Sequence, residues 1–168
     1  HLLGTDNYGK DVLAGLIYGV RLSFLFGLVL TVLSSIIGIT IGAIQGFFGG
    51  KIDLVGQRVI EIWSGLPMLF ILILMASIVE SNVFWLLGIL VAFSWMSLVG
   101  VVRAEFLRAR NLPFVMAARA LGMGNAKLMR RHILPNAMVA TLTFLPFILT
   151  GSITLLTSLD FLGFGLPA

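Results

Sequence analysis

LSFLFGLVLTVLSSIIGITIGAIQGFFGG, residues 22–50, runs from Leu22 to Gly50 without one ionisable side chain. A helix needs about 20 residues to cross about 30 Å of hydrocarbon, so this stretch is more than long enough to span a bilayer. It is expected to end before Phe47-Phe48-Gly49-Gly50, a turn-prone exit at the interface. Ile62–Val79, Ser81–Val102 and Ile133–Leu159 are equally free of charge and read as further spans. Hydrophobic residues make up 59% of the chain, charged residues 11%, and the mean hydropathy is +1.10, whereas a soluble domain carries about 25% charge. The fold class is therefore all-α: a polytopic transmembrane helical bundle of four spans with short helices on its cytoplasmic side, forming one domain over residues 1–168.

Charge between the spans is lopsided. If the four helices alternate in direction, Lys51, Arg58, Arg103, Arg108, Arg110, Arg119, Lys127, Arg130 and Arg131 fall on one side, and only Lys10 and Arg21 on the other. The positive-inside rule then puts both chain ends outside and the basic segment around Arg119 in the cytoplasm. His1-Leu2-Leu3-Gly4 has no basic region followed by an apolar run, so it does not read as a signal peptide. From a start at His rather than Met, the chain is expected to be a piece of a longer one. With no cysteine, the chain has no disulfide, iron–sulfur or thiolate-zinc chemistry.

The basic segment has its own grammar. Asn111-Leu112-Pro113 ends one helix and Pro113 begins another, because proline suits a first turn but not an interior. The new helix runs through Phe114, Val115, Met116, Ala117, Ala118, Arg119, Ala120 and Leu121 to Gly122, which accepts a left-handed C-terminal stop. Asn125 is placed to cap a second short helix. Ala117, Ala118 and Ala120 make a thin face able to enter a partner's groove, and Phe114, Met116, Leu121 and Met123 are candidate anchors. On these grounds alone, a basic helix resting on anionic lipid serves equally well.

The spacing of Ala117-Ala118, Gly122 and, nine residues on, His132-Ile133-Leu134-Pro135 resembles the EAA loop of the membrane subunits of bacterial ABC importers. Met116 stands where that motif has its acidic residue, and His132 where an isoleucine is usual. Leu3-Gly4-Thr5-Asp6, Gly9, Asp11-Val12-Leu13, Tyr18-Gly19-Val20-Arg21, Gly46-Phe47-Phe48-Gly49-Gly50 and Leu162-Gly163-Phe164-Gly165 are similar to the second permeases of dipeptide, oligopeptide and nickel importers. Residues 95–108 and 135–167 resemble the Yej-type peptide permeases. The resemblance implies a six-helix core of which this chain carries four, a multi-pass place in the bacterial inner membrane, and an importer moving oligopeptides, peptide antibiotics, dipeptides or nickel complexes. It also implies a second permease subunit, two ATPase subunits that hold ATP and Mg, and a periplasmic binding protein. Phe114, Met116, Ala117, Ala118, Arg119, Leu121 and Gly122 then form the coupling helix on which an ATPase pushes.

Other features have competing readings. Asp6-Asn7-Tyr8-Gly9-Lys10-Asp11 alternates oxygen ligands as a calcium loop does, but lacks the later bidentate glutamate. It reads better as a turn into an interfacial helix through Val12, Leu13, Leu16, Ile17 and Val20. Ser34, Gly38, Gly42 and Gly46 form a small-residue packing stripe, facing either this chain's own helices or a second permease. Gln45-Gly46-Phe47-Phe48-Gly49-Gly50-Lys51-Ile52 fails as a phosphate loop at Gln45 and Ile52, so no ATP site is expected. Pro67 and Pro146 are expected to kink the second and fourth spans. Thr143, Thr150, Thr154 and Thr157 make a stripe that either lines a wet pathway or bonds back to its own helix. Asp53, Arg58 and Glu61 read as a solvated charge cluster.

His132 has no buried serine partner, there is no HExxH, and no carboxylate pair lies within a span, so neither catalysis nor a metal site is expected. Nothing points to nucleic acid. A secondary transporter or channel without ATP would carry ionisable residues in its spans, and these have none. A membrane scaffold fits the glycine stripe but leaves the Ala117–Gly122 motif without a purpose.

Overall fold

The computed structural model describes residues 3–5, 9–78 and 82–164. Helix α1 spans Val12–Phe48; Asp11 caps it, its carboxylate accepting from the Leu13 amide at 2.9 Å. The expected interfacial helix and first span are thus one continuous rod. Of the calcium-loop candidates, Asp6, Asn7 and Tyr8 lie outside the described residues. The rod stops where Gly49 and Gly50 adopt φ +64° and +52°, a left-handed corner closed to most side chains.

Helix α2 (Gly50–Ser64) turns back along the end of α1, where Gln57 Nε2 donates to the buried Gln45 Oε1 at 2.9 Å. Helix α3 follows over Met68–Ile78. The expected second span, Ile62–Val79, is therefore broken in two. Proline at 67 restricts Leu66 to extended backbone and offers no amide, and with Gly65 before it the helix ends instead of kinking. Pro146, by contrast, sits inside an unbroken helix.

Helices α4 (Val83–Ser94) and α5 (Met96–Ala109) form a nearly continuous rod jointed at Trp95. There the Ala92 carbonyl accepts both indole N–H groups, from Trp63 and from Trp95, each at 2.8 Å. After the short α6 (Pro113–Ala120), α7 (Asn125–Leu128), a π turn (Met129–Ile133) and α8 (Leu134–Phe161) make one last rod. Asn125 begins α7 from within; Gly124 occupies the cap position. Among the described residues, three helices are long and apolar enough to cross a membrane: Val12–Phe48, Val83–Ala109 and Asn125–Phe161. Four were expected, and the break at Pro67 accounts for the difference.

Helices α1 and α5 are parallel and in close contact. A Cβ added at Gly38 would lie 2.6 Å from the Trp95 carbonyl oxygen, one at Gly42 2.8 Å from that of Val99, and one at Gly46 2.6 Å from the Phe106 Cβ. Glycines every fourth residue let two backbones touch, which in lipid substitutes for a hydrophobic drive. Ser34, at the head of the stripe, is buried. Helix α8 runs antiparallel to α1: Ala137 shares a core with Ala43 and Phe47 at one end, and Leu156 and Leu159 with Phe26 and Leu30 at the other, while Thr31 Oγ1 lies 3.4 Å from Ser152 Oγ between them. One apolar core, around Phe47, Phe106, Val115 and Ile133, fills the end where α1 and α5 finish. A second, around Phe26, Leu72, Leu90 and Leu156, fills the opposite end. Because Leu72 belongs to the second core, α2 and α3 carry the chain from one end of the bundle back to the other.

Candidate coupling surface

The basic segment folds as a cap on the first core. Leu112 is extended at φ −70°, ψ 144°, as the residue before proline must be, and Pro113 opens α6. Three residues apart, Val115 and Ala118 point into the bundle and are buried with Phe106, Leu128 and Ile133. The helix closes in a Schellman motif. Gly122 takes φ +82°, its amide donates to the Arg119 carbonyl at 3.0 Å, and the Met123 amide donates to the Ala118 carbonyl at 3.1 Å.

Phe114, Met116, Ala117 and Leu121 are exposed, Leu121 at 89%. Ala118 is turned away from them, into the protein, so the thin outward face consists of Ala117 and Ala120. Arg119 bends back so that its guanidinium carbon stands 5.6 Å from the Phe47 ring centroid. Beside Phe114, at 6.4 Å between centroids, lies the His132 ring.

His132 belongs to the π turn, which has a local cause. Pro135 lacks an amide and its ring crowds the carbonyl one turn earlier, and a π turn widens the helix there. The Leu134 amide reaches back to the Met129 carbonyl, and Asn136 Nδ2 donates to the His132 carbonyl at 2.7 Å. Ala126, Lys127, Arg130 and Arg131 line an open basic recess on α7 and the π turn.

Asp53 leaves the charge cluster expected for it. Arg58 pairs with Glu61 on the surface, while Asp53 accepts both arms of Arg103 from α5, Nη2 lying 2.6 Å from Oδ2. The Arg103 hydrogen bonds hold the Asp53 carboxyl below its ordinary value against the opposing effect of burial, with the charges of Arg103 and Arg110 adding to the shift. Arg110 Nη1 donates to the Phe47 carbonyl at 3.2 Å. These partners escaped the sequence reading, although a lone arginine at the end of an uncharged run was a cue that it needs a buried anion.

Thr143, Thr150, Thr154 and Thr157 are exposed on one stripe of α8. Each hydroxyl donates to the carbonyl four residues earlier, at 3.1, 2.9, 2.9 and 2.9 Å in turn. Their oxygens retain acceptor capacity toward the outside. The stripe does not share a site with α6: it lies along the rod beyond the end that carries α6.

Long apolar rods packed through glycine, with a short helix seated across their basic end, define a multi-pass α-helical membrane protein. Residues 38–168 match the binding-protein-dependent transport system inner membrane component, and the chain belongs to that family. It is 65% identical over 165 residues to the inner membrane ABC transporter permease protein YejE of Escherichia coli (strain K12), covering 98% of this chain and 48% of that protein. It is 66% identical over 165 residues to the peptidoglycan transport system permease protein YejE of Agrobacterium fabrum, covering 98% and 43%. To the oligopeptide transport system permease protein OppC of Lactococcus lactis subsp. cremoris it is 36% identical over 169 residues, covering 100% and 58%. The chain spans about half the length of these curated relatives. The family is the one implied by the spacing around Gly122 and the flanking motifs, and it places the chain in the inner membrane.

Proposed function

We propose that the whole protein is a permease subunit of an ATP-driven importer, and that α6 is the surface on which a separate ATPase subunit docks. The observation that carries this is the two-sided character of α6: Val115 and Ala118 anchor it in the bundle while Phe114, Met116, Ala117 and Leu121 remain uncovered. A helix so anchored transmits force to the rods it touches, and a docked ATPase shifts the bundle only if its contacts differ between the two states of the transporter. ATP and Mg belong to the ATPases, and this chain's part is mechanical. A second permease would complete the path, with Thr143, Thr150, Thr154 and Thr157 facing it, and a periplasmic binding protein would deliver cargo. One relative is named for peptidoglycan transport and another for oligopeptide transport; peptide-bearing molecules are the cargo common to both. In this reading the charge-free stretch from Ile62 through α3 makes a fourth crossing, which parallel packing of α1 with α5 requires.

The test is co-purification of the full-length protein from its native membrane. Wild type should bring down two ATPases and a second permease. Ala117→Arg and Leu121→Asp, both on the uncovered side, should insert normally yet lose the ATPases, because an unpaired charge in a protein groove is costly. Full retention of the ATPases by both variants would overturn α6 as the docking surface.

A further inference from the structure

Helix α6 is joined by the chain to α5 before it and to the final rod after it, but not to α1 or α2. It reaches those two through side chains. The Phe47 carbonyl accepts from Arg110 at 3.2 Å, and the Phe47 ring, 5% exposed, lies under the guanidinium of Arg119 at 5.6 Å, within the cation–π range of about 6 Å. Beyond the Gly49–Gly50 corner, Asp53 is gripped bidentately by Arg103. Three arginines, one from α5, one from the loop after it and one from α6, therefore converge on residues 47–53. The corner they hold is a joint: two left-handed glycines separate α1 from α2, so the direction of α2 is fixed by what grips it.

We propose that this clasp is a coupling relay, in which displacement of α6 passes through Arg119 and Arg110 to Phe47, and through Arg103 and Asp53 to α2, so that the α1–α2 corner travels with the docking helix. Arg103, Arg110 and Arg119 are positioning residues in this scheme. Without them a push on α6 would reach the α1–α2 corner only through the apolar core that Val115 and Ala118 share with Ala43 and Phe47. The relay rests on the reading that α6 docks on an ATPase.

The experiment uses the full-length protein in complex with its second permease and ATPases. Spin labels at Ile62→Cys and Phe147→Cys, both on exposed positions of α2 and α8, report the α2-to-α8 distance with and without trapped ADP–vanadate. The distance should shift on trapping in the otherwise wild-type complex. Arg110→Met, outside the docking helix, keeps an aliphatic stem but removes the guanidinium that donates to the Phe47 carbonyl. It should keep the ATPases bound and turning over while the shift is lost, and Arg110→Lys should restore it. Asp53→Asn should behave like Arg110→Met. A full shift in Arg110→Met, or no shift in the otherwise wild-type complex with its ATPases bound, would overturn the relay. Absence of ATPases from the wild-type complex would overturn the docking reading itself.

Discussion

At Gly122 the space around an added Cβ is empty, yet φ is +82°. Any cost of a side chain there is backbone strain alone, which separates it from packing. Gly122→Val should destabilise the protein by about 1–2 kcal/mol, the penalty for a left-handed L-residue, read as a lower thermal midpoint in detergent. Gly88→Val, with equal room but within the regular helix α4, should be close to neutral; equal losses at both positions would refute the strain argument. Asp53 makes a second residue-scale prediction. Its carboxyl is held below the ordinary value, so the stability it contributes is fully present above that value, about 3.9, and is lost as pH falls through the lower folded one. Asp53→Asn should cost about 1–3 kcal/mol at neutral pH, the worth of hydrogen bonds to a charged group. Melting points of wild type and variant should converge as acid protonates the carboxylate. A gap that stayed constant into acid would show that the charge is not what matters. Gly122 and Pro113 were legible in the sequence because a helix stop and start are set within a few neighbouring residues. The Asp53–Arg103 pair was not, since its members are 50 positions apart and no local pattern joins them.

Among the elements, the contact between α1 and α5 makes the clearest demand. At Gly42 the nearest obstacles to a Cβ are the Val99 carbonyl oxygen at 2.8 Å and the Val102 Cβ at 2.9 Å, both rigid parts of α5. Gly42→Ala should therefore cost about 1–3 kcal/mol through overpacking, whereas Gly100→Ala, in open space on α5, should be neutral or slightly stabilising. Comparable thermal midpoints for the two variants would mean that the helices do not touch along this stripe. Period four in Ser34, Gly38, Gly42 and Gly46 was visible in the sequence, but the partner was not: small residues announce a close approach without naming the helix that makes it. The inward side of α6 was likewise hidden. Eight residues with alanine on every side have too little contrast to show that Ala118 faces in and Ala117 out. Pro67 and Pro146 look alike in sequence, yet one ends a helix and the other does not. Gly65 and the surrounding contacts make that difference, and a proline alone does not encode it.

The whole molecule is constrained by one geometric fact. Gly38, Gly42 and Gly46 of α1 meet α5 in ascending order at Trp95, Val99 and Arg103, so the two helices point the same way. Two successive membrane rods can be parallel only if the chain between them returns across the membrane. Lys51, Asp53, Arg58 and Glu61 keep the first turns of α2 out of the hydrocarbon, so the return falls to the charge-free residues 62–78, about 25 Å at 1.5 Å per residue, at the short end of what crosses the roughly 30 Å of hydrocarbon. Sidedness follows from the basic residues clustered at the end shared by Lys51, Arg110 and Lys127. In a cysteine-free full-length background, Lys51→Cys and Gly124→Cys should react with a membrane-impermeant maleimide in inverted vesicles only, and Asn82→Cys in right-side-out vesicles only. Asn82 caps α4, accepting from the Phe84 amide at 3.0 Å, so its replacement costs about 1 kcal/mol, too little to reverse a topology. If Lys51→Cys and Asn82→Cys were labelled from the same face, residues 50–82 would not cross the membrane, and the parallel packing of α1 on α5 could not hold.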